Sequence, residues 1–421
     1  MPVAQAQPKD RRDDPARDRL EHRARHVRVW NFFRPPVSAI ARRMFDYRHD
    51  DLSGVKGPYL LLCNHVTDFD PILVGMAMHH QGYYVASEHI MRKPLIARLL
   101  TWGLCPIIHQ KGRQGLRSTK EILRTLKGGA SVVLFPEGNR SFDGTTCVIP
   151  AVTGKLALKC GATLVTMRLE GGYLTQPRWG TTRRRGGMYG RVMGVYPPEQ
   201  LAAMTPEEAQ TLVCRDLQED AFERQRVIER ETGRMPDYVG KCLAEGLEAA
   251  LFVCPECGAI SSITTQEDRV SCACGLQMRY LGTGFLEGGR FDTVAEWYGW
   301  QRGQLDDKID AAPCGEAVLF EDRVSVELVC GHDVDKRWEG TLRASPDGFV
   351  FVGDDGRERV LRHDDIVGAA VHGRNTLVAH VGDGEGDGDG PRHYEVRGPR
   401  SFCALKYLYV YRHAGGEVAG V

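Results

Sequence analysis

The 421-residue chain has no hydrophobic run long enough to cross a bilayer. A spanning helix needs about 18–20 apolar residues. The nearest stretch, Leu95 to Ile108, is shorter and is interrupted by Arg98. The first 28 residues are polar and charged, so they carry no apolar core of a secretory leader. Net charge is absent as well: 55 basic residues balance 55 acidic ones. Attraction to nucleic acid through bulk charge is thereby excluded, and none is expected as a partner. The expected location is cytoplasmic, peripheral on the inner face of a membrane. Disulfides are rare in that compartment. The 13 cysteines are odd in number and cannot all pair internally, so they read as thiols or metal ligands.

What is present suits a soluble globular protein of two to three domains, with 42% apolar and 26% charged residues. Residues 1–27 mix Arg and Asp, carry Pro8 and Pro15, and read as a flexible charged tail. Pro35-Pro36 then suits a helix start. Val37, Ile40, Ala41, Met44 and Phe45 recur on one helical face, with Arg42, Arg43 and Arg48 off it. Trp30, Phe32 and Phe33 lie just upstream. Two readings fit: an interfacial membrane segment, or a helix packed on its own domain. From Tyr59 short apolar runs alternate with helical stretches, which predicts an α/β domain. Residues 238–252 also read as helix.

Two polar sets leave apolar strands in this region. Tyr59–Cys63 runs into Asn64-His65-Val66-Thr67-Asp68-Phe69-Asp70-Pro71, and Ser131–Phe135 runs into Pro136-Glu137-Gly138-Asn139-Arg140-Ser141. The carboxyl ends of strands are where α/β sheets place their sites. A carboxylate five residues after a histidine can hold the imidazole in one tautomer, ready to take a proton from a hydroxyl. Asp70 before Pro71 also makes a good helix cap by itself, and Asp68 competes as the partner.

The blocks Asn64-His65-x4-Asp70 and Phe135-Pro136-Glu137-Gly138-Asn139-Arg140-Ser141 resemble the phospholipid/glycerol acyltransferase family, whose best-known members are the lysophosphatidic acid acyltransferases. The resemblance spans roughly residues 37–200. It implies transfer of a fatty acyl group from acyl-CoA or acyl carrier protein to a lysophospholipid hydroxyl. His65 is then the general base and Asp70 its orienting partner. Glu137, Gly138, Asn139 and Arg140 belong to the acceptor-binding block, with Arg140 near the phosphate, which a guanidinium fork matches. The family's further phosphate-holding arginine falls on His109 here, with Lys111 and Arg113 displaced but still assigned to the acceptor. The run Arg183-Arg184-Arg185 is either a contact to anionic lipid headgroups or a solvated loop. The acyltransferase domain, with its N-terminal amphipathic membrane segment, is expected over 28–245.

Cys254-x2-Cys257-Gly258 and Cys272-x-Cys274-Gly275 read as a zinc ribbon over 246–283, with four thiolates in a structural site. A redox-active pair and free reduced thiols are the alternatives. Cys63 and Cys105 sit in apolar runs and read as core. Residues 284–421 read as a β-rich module of several strands closed by a helix at 402–411, which suggests a small β-barrel or sandwich, pleckstrin-homology-like shapes among them. The acidic run Asp383 to Gly390 puts Val396 where a calcium loop needs Glu, so it reads as a hairpin loop.

Overall fold

The computed structural model describes residues 15–87, 94–109, 115–313, 317–330, 333–382 and 392–416. Lys111, Arg113 and the acidic run Asp383 to Gly390 lie outside the described residues.

The N-terminal half is built on a seven-stranded sheet. Its strands are β1 (Tyr47–His49), β2 (Tyr59–Cys63), β3 (Gly82–Ser87), β4 (Ile107–His109), β5 (Ser131–Leu134), β6 (Thr163–Glu170) and β7 (Met188–Tyr196). They lie in the order β1-β7-β6-β2-β5-β3-β4. All neighbours are parallel except β6 and β7. Helices α1 (Pro15–Glu21), α2 (Arg23–Phe45), α3 (Asp70–Ala77), α4 (Pro94–Gly103), α5 (Gly115–Lys127), α6 (Val152–Lys159), α7 (Gly172–Thr175), α8 (Pro198–Ala202), α9 (Pro206–Leu217) and α10 (Ala221–Thr232) surround it.

The sequence of β2 shows why it is central. All five residues are apolar and all are buried, as expected of a parallel strand covered on both faces. Side chains alternate across the pleat. Leu60 and Leu62 join Val132, Leu156 and Val213 in one core, while Tyr59, Leu61 and Cys63 join Val133, Phe45 and Val74 in the other.

A second sheet, β8 (Ile263–Gln266), β9 (Arg269–Cys272), β10 (Gln277–Tyr280) and β11 (Leu286–Glu287), is antiparallel in the order β11-β10-β9-β8. After α11 (Val294–Asp310) comes a third sheet: β12 (Phe320–Cys330), β13 (Asp333–Ser345), β14 (Gly348–Gly353), β15 (Glu358–Arg362), β16 (Ile366–His372), β17 (Thr376–Val381) and β18 (Arg392–Arg397). Its order is β15-β14-β13-β12-β18-β17-β16, all antiparallel. The final helix α12 (Ala404–His413) is buried from Ala404 to Tyr411. One hydrophobic cluster runs from Phe142, Trp179 and Phe222 through Val270 and Met278 to Phe349 and Tyr407. The second and third sheets therefore share a core with α7 and α10, while the first sheet packs in two clusters of its own.

Several sequence expectations change here. Residues 15–27 are helical, not a loose tail. Arg19 is buried and donates to the carbonyls of Cys105 and Pro106, and Leu20 packs against the bare face of Gly128. Pro35 and Pro36 sit inside α2 rather than at its start. Both are on its exposed side, where the ring and the missing N–H disturb least. Residues 238–252 are not an α-helix. The N–H of Val239 instead pairs with Arg185, and Gly246 turns with φ of 97° into a short 3-10 turn. The segment after residue 284 is β-rich as expected, and α11 adds 17 helical residues that the pattern did not reveal. Cys63 and Cys105 are core residues, as their apolar surroundings predict.

Candidate active site

The site is assembled where β2 and β5 end side by side. His65 and Asp70 follow β2, and Asp70 opens α3 with Pro71 in its first turn. The imidazole Nδ1 lies 2.7 Å from Asp70 Oδ2. Asp70 is fully buried and also accepts from the N–H of Val66 (2.6 Å), the N–H of Thr67 (2.9 Å) and the Thr67 hydroxyl (2.6 Å). The same carboxylate thus folds the loop and orients the histidine; it does not cap α3, because the N–H groups that it accepts precede the helix. With Nδ1–H donated to Asp70, Nε2 carries the lone pair that accepts a proton. The ring stacks on Phe135, centroid to centroid 4.9 Å.

Asn64 ties this loop to the next strand. Its amide donates to Leu169 O (3.0 Å) and accepts from Leu169 N (2.7 Å). It mimics one rung of a ladder just where β2 leaves the sheet.

Glu137 behaves differently from the sequence expectation. It is buried, and its Oε1 and Oε2 accept the backbone N–H groups of His65 and Cys147, each at 2.6 Å. It is a brace between two loops, with both oxygens already occupied, rather than a carboxylate offered to an acceptor. Burial pushes it up to about 8, opposed by those two N–H bonds. Gly138 turns the chain with φ of 69°, a conformation that side chains other than glycine rarely adopt. Beyond it, Arg140 pairs with Asp68 at 3.1 Å. The two aspartates of the first loop are thereby distinguished: Asp70 holds the histidine and Asp68 holds the arginine.

Arg178 is a residue that spacing did not reveal. It is buried and donates to the carbonyls of Arg140 (2.8 Å), Gly373 (2.8 Å) and Val371 (2.6 Å), with its guanidinium 4.2 Å from the Phe142 ring centre. Burial and the nearby Arg140 bring it down to about 10. Glu170 and Glu219 were also missed. Glu170 is buried among Arg168, Arg191 and Arg224. Burial pushes Glu219 up to about 8 against the pull of Arg168. A narrow cleft lined by Asn64, His65, Glu137, Gly171, Tyr173 and Glu219 runs behind the imidazole. The excess of paired charges at 168–170 and 215–224 is the only sequence signal these residues carry.

His109 ends β4 and places Nδ1 2.9 Å from Ser118 Oγ. The basic run splits. Arg184 turns inward onto Trp179 and Tyr280, while exposed Arg183 lies over the Phe45 ring.

The four cysteines of the second sheet converge. Their sulfurs lie within 4.8 Å of one another, with Cys254–Cys274 at 3.6 Å and Cys257–Cys272 at 3.9 Å. Such a group can hold a metal ion.

Phe32 and Phe33 on α2, and Leu95, Leu99 and Trp102 on α4, are exposed. The two helices lie together: Arg25 stacks on Trp102 and Val29 faces Gly103. Trp30 turns the other way and packs on Gly75. Among the described residues no helix is long and apolar enough to cross a membrane.

Residues 43–170 match the Acyltransferase family model. A 1-acyl-sn-glycerol-3-phosphate acyltransferase from Borreliella burgdorferi is 24% identical over 115 residues, 27% of this chain and 46% of the relative. The chain thus spans about half the length of that curated relative. A crystal structure of the 1-acyl-sn-glycerophosphate (LPA) acyltransferase PlsC from Thermotoga maritima is 18% identical, with a TM-score of 0.40, covering 52% of this chain and 88% of its own. The chain carries a domain of the acyltransferase family on a mixed α/β fold, followed by a cysteine cluster and a β-rich region.

Proposed function

We propose that the chain transfers a fatty acyl group from acyl-CoA or acyl carrier protein to a lysophospholipid hydroxyl, with 1-acylglycerol-3-phosphate as acceptor and phosphatidic acid as product. The observation that carries this reading is the His65–Asp70 pair, joined through Glu137 to the loop of Arg140. His65 Nε2 takes the hydroxyl proton as the acceptor oxygen attacks the thioester carbonyl. The tetrahedral intermediate then expels the thiolate, which recovers that proton. Asp70 stabilises the imidazolium in between. Arg140 grips the acceptor phosphate, exchanging its exposed partner Asp68 for a doubly charged one.

The reaction takes place at a membrane surface. Five exposed apolar side chains on α2 and α4, flanked by Arg25, Arg28 and Arg34, match a helix pair lying in the headgroup layer. The cysteine cluster binds zinc in a structural role. A tetrahedral zinc with Zn–S of about 2.3 Å sets its sulfurs about 3.8 Å apart, which the two measured separations bracket.

An acceptor panel with labelled palmitoyl-CoA, with products resolved by mass spectrometry, tests the reading. Lysophosphatidate should give phosphatidate, and Arg140→Ala should raise the acceptor KM. Free fatty acid as the sole product would point to a hydrolase. Intact thioester with every acceptor would leave only a lipid-binding scaffold.

A further inference from the structure

The polypeptide places an unusual join beside the proposed acceptor arginine. Arg178, at the edge of the N-terminal half, spends its guanidinium on three backbone carbonyls. One belongs to Arg140. The other two, Val371 and Gly373, lie at the end of β16 and in the turn that leads to β17, 193 and 195 residues further along the chain. A buried guanidinium bonded to carbonyls and an aromatic face gives up much hydration for neutral partners. Its geometry is nevertheless strict, since a planar fork fixes its acceptors in one plane. Arg140 itself is held from the other side by Asp68, which also accepts from Gln176 Nε2 at 3.3 Å. Segment 176–178 therefore grips both ends of the Arg140 contact, and Arg178 transmits the seat of the β16–β17 turn to it.

We infer that Arg178 is a positioning residue that makes acceptor binding depend on the C-terminal β module: the β16–β17 turn, through Arg178, sets the backbone that carries Arg140. The inference rests on the reading that Arg140 holds the acceptor phosphate. It assigns the C-terminal module a part in acceptor binding, exerted through the backbone of Arg140. The turn itself is built for close approach. Val371 is buried, Gly373 has φ of 58°, and Asn375 fixes the turn to α12 by accepting from the N–H of Ala404 at 2.8 Å. A change in how α12 seats thus reaches Arg140 through three hydrogen-bonded steps.

Steady-state kinetics on the full chain test this, with lysophosphatidate varied at saturating palmitoyl-CoA. Arg178→Ala should raise the acceptor KM about 10- to 100-fold, the usual worth of a charge-assisted bond, while the donor KM and kcat stay within about twofold. Arg178→Lys, which keeps the charge but not the fork, should fall between. A merely structural arginine would lower the amount of active enzyme without splitting the two KM values. An unchanged acceptor KM in a variant that melts like the wild type overturns the inference. Should Arg178→Ala fail to fold, hydrogen exchange on the wild-type chain decides. Lysophosphatidate should protect residues 371–375 together with 138–142, and protection confined to 138–142 overturns it. A wild-type chain that turns over no acceptor sinks the acyl-transfer reading instead. The exchange experiment needs only binding, so it still decides for Arg178.

Discussion

Glu137 accepts the backbone N–H of His65 at 2.6 Å across 72 residues of sequence. The backbone at His65 and the Gly138–Arg140 turn are thereby locked to one another through a carboxylate. The same carboxylate takes the N–H of Cys147 with its other oxygen. Loop geometry, rather than acceptor contact, is what a carboxylate at this position supplies.

Replacing Glu137 by Gln tests that role. A carboxamide has one accepting atom where the carboxylate has two, so an N–H of His65 or Cys147 would face an N–H2. The expected cost is about 1–3 kcal/mol of stability, the penalty of a buried donor left unsatisfied. Thermal unfolding should show it, together with a fall in kcat. A variant as stable as the wild type with only a raised acceptor KM would return Glu137 to the acceptor.

His65→Ala should slow acyl transfer by roughly 10²–10⁴-fold, the usual share of a general base. Its melting temperature should barely move, because the side chain is part-exposed and makes its hydrogen bond at the rim of the loop. Asp70→Asn should slow the reaction and also destabilise, since Asp70 accepts from two backbone N–H groups as well as the ring. Near-normal turnover by His65→Ala would remove the acyl-transfer reading altogether.

Acid should loosen the N-terminal helices before the rest. His26 is buried, with Nδ1 3.0 Å from the Tyr83 hydroxyl and Nε2 without a partner. Burial and the neighbouring Arg25 bring its pKa down to about 4. The folded value lies below the unfolded one, so the unfolded chain binds more protons between them. Stability is therefore full above about pH 6.5 and is lost as pH falls toward 4, by at most about 3 kcal/mol. His26→Gln should flatten this limb of the unfolding profile, and an unaltered limb would show that other groups control it.

About one zinc per chain should co-purify. Cys257→Ser should lose it, and a chelator should lower the melting temperature of the wild type without competing with substrate. Unchanged stability after complete metal removal would speak against a structural site.

Phe32→Asp with Phe33→Asp should weaken co-sedimentation with anionic vesicles while leaving the fold intact, because both side chains are exposed. Vesicle binding equal to wild type would locate the membrane surface elsewhere.

The parts of the fold that were legible in the sequence are those set by local pattern. The unbroken apolar run of β2 and its polar exit placed His65 and Asp70 correctly, since both signals lie within a dozen residues. Repeated Cys-Gly pairs located the cysteine cluster for the same reason. What the sequence hid depends on distant acceptors. Arg19 reads as a tail residue until Cys105 and Pro106 offer carbonyls. Arg178 reads as an ordinary loop cation until β16 arrives. Strand β16, Ile366–His372, was missed because Gly368 and two alanines dilute its apolar signal. The helical pattern at 238–252 yields to backbone pairing with residues 181 and 185. The apolar stripe of α2 was legible but not its direction: Ala41 and Phe45 face the domain, and Ile40 faces out.

The join at Arg178 also has a history in time. Domains fold from the N-terminus as the ribosome proceeds, at roughly 5–20 residues per second. The carbonyls that Arg178 needs lie 193 and 195 residues downstream, so they emerge about 10–40 s after it. During that interval the guanidinium has only the carbonyl of Arg140 and the face of Phe142 to hold. The last helix of the chain then delivers the turn. A chain released before residue 371 would hold the His65–Asp70 pair and lack two of the three carbonyls that seat Arg178.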